Sequence, residues 1–160
     1  MSDLSFVLYS LKYRFLNSFL SIMLTAFGVS MALLISIRSS CNRLHVGCIM
    51  VKNHRVISAG YNGFLKGLPH KSIVINDHEQ ATVHAEQNAI TDAAQRGVSL
   101  QDSIAYITHY PCLTCCKLLI ATGIKRIKYL NDYKNSSIVD ELLRKSGICI
   151  TKLRFNKHNF

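Results

Sequence analysis

The sequence predicts an α/β domain built on a mixed five-stranded sheet flanked by helices, and three observations carry that expectation. From residue 46 onward, short runs rich in Val, Ile and Tyr alternate with stretches patterned at helical spacing. The first two runs are separated only by a turn and should pair as a hairpin, whereas the later ones are separated by helices and should run parallel through right-handed crossovers. At 160 residues, 49% of them hydrophobic, the chain is long enough for one core and too apolar to be disordered.

The elements follow in order. Residues 46–51 form the first strand, Asn53-His54 the turn and residues 56–61 the second strand, after which a long loop covers about 62–81. A helix over 84–95 sets Ala85, Ala89, Ile90 and Ala93 on one stripe, with Gly97 as its terminator. A strand at 104–108 leads to a second helix that opens at Pro111-Cys112 and runs through Leu118, Leu119 and Ile120 to Gly123. A strand at 124–130, a helix at 137–145 and a strand at 148–153 complete the sheet. No internal repeat or low-complexity tract interrupts the pattern.

The N-terminal third is the least regular part. Residues 15–37 are 23 positions without a charge, flanked by Lys12 and Arg14 on one side and Arg38 and Arg43 on the other, which is enough by count to cross a bilayer. Against a span, the run contains Asn17, Ser18, Ser21, Thr25, Gly28, Ser30 and Ser36, and basic residues at both ends give no orientation. Residues 27–37 are also the only helix available before the sheet to cover one of its faces, which leaves 15–26 too short to span. The chain therefore divides into an apolar, helical extension at 1–25, a domain at 26–155 and a tail at 156–160. Membrane association is disfavoured, and residues 1–24 could instead make an oligomer contact.

Chemistry concentrates at His84-Ala85-Glu86 and Pro111-Cys112-Leu113-Thr114-Cys115. His84, Cys112 and Cys115 are three ligands suited to Zn²⁺, and three protein ligands leave a fourth position for water, as in a catalytic site. Cys112 and Cys115, at i and i+3 near a helix start, share a face where the helix dipole favours thiolate. Glu86 then need not be a ligand and can act as general base and proton shuttle. Two blander readings stand beside this: C-x-x-C as a redox pair, which leaves the histidine unexplained, and Glu86 as a solvent-facing helix residue. Cys116 points away from the metal face and belongs to the core. The six cysteines do not imply disulfides, and with no cleavable signal evident a reducing cytoplasm is expected. A net charge of +10 favours an anionic partner, which could be a nucleotide phosphate, RNA or an acidic membrane.

Arg38-Ser39-Ser40-Cys41, Val46-Gly47, Gly60-Tyr61-Asn62-Gly63, His84-Ala85-Glu86-Gln87-Asn88-Ala89 and Tyr106-Ile107-Thr108-His109-Tyr110-Pro111-Cys112 together closely resemble deoxycytidylate (dCMP) deaminases. The resemblance implies the three-layer cytidine deaminase-like fold and a zinc-dependent conversion of dCMP to dUMP and ammonia upstream of thymidylate synthesis. It further implies a homo-oligomer and dCTP and dTTP as effectors. By the same resemblance His84, Cys112 and Cys115 match the zinc ligands, Glu86 the proton shuttle and Asn62 a substrate contact. The extension departs from the family pattern, and the loop at 64–83 lacks the cysteines some members use for a second zinc. Tyr61, Tyr110 and Tyr129 are candidates to stack on a base. Arg43, Lys66 and Lys71 are candidates for the phosphate, and His70, His78 and Glu79 with Cys41 for a second metal. Two alternatives remain: a tRNA or other polynucleotide deaminase, favoured by the basic charge, and an inactive, membrane-associated zinc scaffold, favoured by the apolar N-terminus.

Overall fold

The computed structural model describes residues 3–75 and 78–154, so the tail expected at 156–160 lies outside the described residues. After a first helix, α1 (Asp3–Ser36), come β1 (Gly47–Lys52) and β2 (Arg55–Tyr61), an antiparallel hairpin. Its turn residues Asn53 and His54 have φ of 50° and 63°. Two left-handed residues make the turn whose twist matches that of the flanking strands, and Asn tolerates that region well. The register slips once, between Met50 and Val51.

The expected loop folds back on itself through β3 (Gly63–Phe64), β4 (Val74–Ile75), β5 (His78–Glu79) and β6 (Thr82–Val83), with β3 paired to β6 and β4 to β5. Then follow α2 (Ala85–Gln95), β7 (Ile104–His109), α3 (Leu113–Ala121), β8 (Arg126–Asn131), α4 (Ser137–Lys145) and β9 (Cys149–Lys152). The main sheet is ordered β2-β1-β7-β8-β9, antiparallel as far as β7 and parallel from β7 to β9. This is the mixed five-stranded sheet expected from the sequence.

Alternation along β1 separates two cores. Ile49 and Val51 join Val29, Ala32 and Tyr106 beneath α1, while Cys48 and Met50 face Ala85, Ala89 and Ala93 of α2. Leu119 of α3 and Val139 and Leu143 of α4 extend the second core along the same face. The result is three layers: α1, the sheet, then α2, α3 and α4.

The N-terminus corrects the expectation of two helices. It is one helix, because nothing between residues 15 and 37 breaks it: no proline occurs, and the one glycine is there for packing. A Cβ at Gly28 would lie 2.8 Å from the Tyr106 ring, which presses against the helix at that point. Lys128 Nζ donates to Thr25 Oγ1 at 2.6 Å from the neighbouring strand. Among the described residues no helix is long and apolar enough to cross a membrane.

The α2 layer is set by another close approach. At Gly60 an added Cβ would meet Ala85 O at 2.3 Å and Ala89 N at 2.4 Å, so the helix backbone lies directly on the strand. Gly60→Ala should therefore push α2 off the sheet and cost about 3 kcal/mol in urea denaturation. Zinc affinity should fall with it, because α2 begins at His84.

Candidate functional site

Two helix starts face each other at the C-terminal end of β7. His84 is the N-cap of α2, with extended backbone (φ −72°, ψ 156°), and its N–H donates to Gln87 Oε1 at 2.9 Å. The body of α2 is tied down at several points. Asn88 Nδ2 donates to Tyr61 O at 2.6 Å and the Ser58 hydroxyl to Ala89 O at 2.5 Å. Arg96, paired with Asp92, donates to Ile57 O at 2.6 Å. On the other side Cys112 is the N-cap of α3, and its Sγ accepts from Cys115 N at 3.5 Å.

These anchors leave His84 Nδ1 3.5 Å from Cys112 Sγ and 3.4 Å from Cys115 Sγ, with all three donor atoms within 4.8 Å of one another. Tetrahedral Zn²⁺, with bonds of about 2.3 Å to sulfur and about 2.0 Å to nitrogen, requires N···S separations of about 3.5 Å. The two distances present meet that requirement, so the donor set fits zinc in chemistry and in spacing. Cys116, as expected, is buried in the core with Leu119.

The electrostatics point the same way. Hydrogen bonding from the Cys115 thiol, and then from His84 and the Cys115 N–H, lowers Cys112 to about 4. Cys115 is pushed far up by its bond to Cys112 and by burial, and His84 is raised by its bond to Cys112. One proton leaves the thiol pair readily and the second does not, because two adjacent thiolates need a cation between them. Burial raises the Glu86 carboxyl to about 7, and Cys112 adds to the shift. Beneath it the Cys48 thiol is held well above its ordinary value by burial and by Glu86.

A cleft of about 300 Å³ opens over this centre, lined by His84, Glu86 and Cys112 together with Asn62, Tyr110 and Arg43. Asn62 is buried and pinned at both ends of its amide: Oδ1 accepts from Val46 N and Nδ2 donates to Leu44 O, each at 2.7 Å. Tyr110 donates to Asp140 Oδ1 at 2.5 Å and packs edge-on against Tyr129, a core residue. Arg43 borders the cleft, whereas Lys66 and Lys71 are exposed and do not line it. Nor does Tyr61, whose ring lies 5.5 Å beneath the Arg38 guanidinium.

Among the described residues His84, Cys112 and Cys115 are the metal-capable cluster, and of the candidates for a second metal His70 and Glu79 have other partners. His70 stacks on Phe64, and Glu79 is spent on Ser72 and on the N–H groups of Ile73 and Ala81. The His78 side chain lies outside the described set.

Sequence reading missed Leu44, Thr82, His109, Tyr133 and Lys134, all of which line the cleft. His109 takes a 2.9 Å hydrogen bond between Nδ1 and Thr108 Oγ1, and burial lowers its pKa. A signal was available for three of these residues. Crevices in parallel sheets open beyond the carboxyl ends of strands, where His109, Tyr133 and Lys134 lie.

Residues 26–131 match the model of the cytidine and deoxycytidylate deaminase zinc-binding region. Among curated proteins the chain is 38% identical over 128 residues to ComE operon protein 2 of Bacillus subtilis, covering 78% of this chain and 68% of that protein. It is 31% identical over 142 residues to the deoxycytidylate deaminase of Saccharomyces cerevisiae, covering 82% of this chain but only 45% of the yeast enzyme. Among solved structures, the dCMP deaminase of cyanophage S-TIM5 in complex with dCMP and dUMP superposes with a TM-score of 0.71 at 31% identity. That match covers 78% of this chain and 93% of the phage chain.

Burial of Glu86 has a consequence for the metal-stripped protein. The folded state holds the Glu86 proton to about pH 7, whereas an unfolded glutamate releases it near 4.5. The contribution of Glu86 to stability is therefore full below about pH 4.5 and is lost as pH rises to 7, by about 3 kcal/mol in all. Cys112, held near 4, adds a pH term of the opposite sign, so the readout is a difference: in chelator-treated samples the stability of the wild type relative to Glu86→Gln should fall by about 2–3 kcal/mol between pH 5 and pH 8.

Proposed function

The chain belongs to the cytidine and deoxycytidylate deaminase family, and from that premise we propose that it removes the exocyclic amine of dCMP by hydrolysis, releasing dUMP and ammonia. The observation that carries the proposal is a buried carboxyl, Glu86, beside three metal donors in a cleft large enough for a nucleotide. Relatives at 31% identity or more, named deoxycytidylate deaminases or solved with dCMP and dUMP, support the substrate.

His84, Cys112 and Cys115 would hold a zinc ion, which would supply Lewis acidity for activating water near neutral pH. Proton traffic falls to Glu86. It takes a proton from the attacking water and places it on ring N3 as oxygen adds to C4, then carries the remaining proton of the added C4 hydroxyl to the amine, so that the C4–N bond breaks and ammonia leaves as the carbonyl forms. Enclosure of Glu86 at the foot of the cleft keeps bulk solvent from competing for those protons.

Asn62 has a second N–H and a free lone pair beyond its two backbone bonds, and we assign them to the sugar. Its fixed amide also holds the segment from Leu44 to Val46 against the cleft. Arg43 is assigned to the phosphate, since among the three basic candidates it alone lines the cleft. A reducing, cytoplasmic setting belongs to this reading and is supported by six cysteines that are all free.

Ammonia release from dCMP, CMP, deoxycytidine and an adenosine-bearing tRNA hairpin tests the proposal directly. Turnover should be highest with dCMP, and reaction of the hairpin alone, or of nothing, would sink it. Adding dCTP or dTTP to the same assay reads the expected effector response. Glu86→Gln should keep its zinc while kcat falls by about 10²–10⁴-fold, whereas Cys115→Ser should lose the metal. Arg43→Ala should raise KM for dCMP by roughly 10–100-fold and leave deoxycytidine unaffected. Lys71→Ala should change neither.

A further inference from the structure

Among the described side chains of α1, one side faces the domain. Val29, Ala32 and Ser36 turn toward the sheet and are buried. On the other side Leu16, Met23, Phe27, Leu34 and Ile37, the last just past the helix end, fall on one face at 3.6 residues per turn. They are 59%, 53%, 52%, 60% and 72% exposed, and Phe15 beside them is 76% exposed. At roughly 100 Å² each, these six give about 600 Å², the upper end of the largest apolar patch found on soluble monomers.

Charge indicates what would cover this face. From residue 4 to residue 76 the sequence holds no Asp or Glu and eight Lys and Arg. Lys12 stands at one end of the apolar face and Arg38, its guanidinium over the Tyr61 ring, at the other, both exposed, while Arg14 is exposed on the opposite side of the helix beside Lys12. A second copy of the chain would set these like charges against each other, because the stretch contains no acidic residue to pair with them. An anionic lipid surface answers both halves of the pattern, taking the apolar side chains between its acyl chains and the cations among its headgroups.

We propose that this face of α1 docks the protein, peripherally, on membranes containing anionic phospholipid, the helix lying in the interface with the sheet on its aqueous side. From the sequence, residues 27–37 are expected to be committed to the core. The structure consumes one stripe of them and leaves the opposite stripe exposed. Docking is independent of the chemistry proposed for the cleft.

Co-sedimentation of the full chain with vesicles of phosphatidylcholine, with and without phosphatidylglycerol, tests this. The protein should pellet with the anionic vesicles only and come off in high salt or carbonate. Phe27→Ser/Leu34→Ser should weaken binding at least tenfold while zinc content and dCMP turnover stay at wild-type levels. Lys12→Glu/Arg14→Glu should do the same from the charge side. Since the chain has no tryptophan, Phe27→Trp adds a single reporter whose emission should shift to the blue with anionic vesicles. Absence of that shift, equal binding to neutral vesicles or retention after carbonate would overturn the proposal. So would a light-scattering mass halved by Phe27→Ser/Leu34→Ser in a protein that binds no vesicles, which would assign the face to a second copy.

Discussion

Two helices have to begin within a few ångströms of each other for one imidazole nitrogen to reach two thiolates, and the packing of the molecule follows from that requirement. α2 can bring His84 into place only by lying with its backbone against β2, at a distance that Gly60 alone permits. α3 starts where β7 ends, and β7 is held at that end by β8, through Tyr110 N to Asn131 O and Asn131 Nδ2 to Thr108 O. The hairpin fixes one helix start and the parallel half of the sheet fixes the other. Their junction, β1 against β7, runs from Cys48–Ile107 to Val51–Ile104. The reversal from antiparallel to parallel pairing is thus what lets residues 28 positions apart in sequence meet at one point.

The same junction concentrates groups that resist ionisation. Cys48, Glu86 and Cys115 crowd a dry region where burial raises all three, and the Glu86 charge adds to the reluctance of both thiols to give up a proton. A divalent cation reverses that balance, so metal affinity and folding free energy are coupled here. A carboxyl at the edge of that field, neither fully held nor fully released near neutrality, is chemically useful in a way that a solvated glutamate two residues after a histidine would not be.

Much of this was readable in the residues. Periodicity placed the long strands and the helices after residue 84 to within a few positions, because each presents an apolar face to a core, and the H-x-E and P-C-x-x-C spacings report helix starts. What stayed hidden has physical reasons. The ladders β3 to β6 are two residues long and too short to carry a period. Gly28 reads as a helix breaker, yet its absent side chain is the space taken by Tyr106, a contact made across 78 positions of sequence. Asn62 was legible as a site residue, but its two backbone partners at 44 and 46 were not. Leu44 and Thr82 join the cleft only because distant segments converge, which no local pattern encodes.

The continuity of α1 also matters for how the molecule moves. Lys12, Tyr13, Arg14, Phe15 and Leu16 are exposed on every side of the helix, so that this stretch of α1 stands clear of the sheet. Thirty-four residues at about 1.5 Å per residue make a stiff rod about 50 Å long, gripped by the domain near one end. Such a particle has more friction than its mass implies. It tumbles anisotropically and travels through a gel matrix as though it were larger than it is.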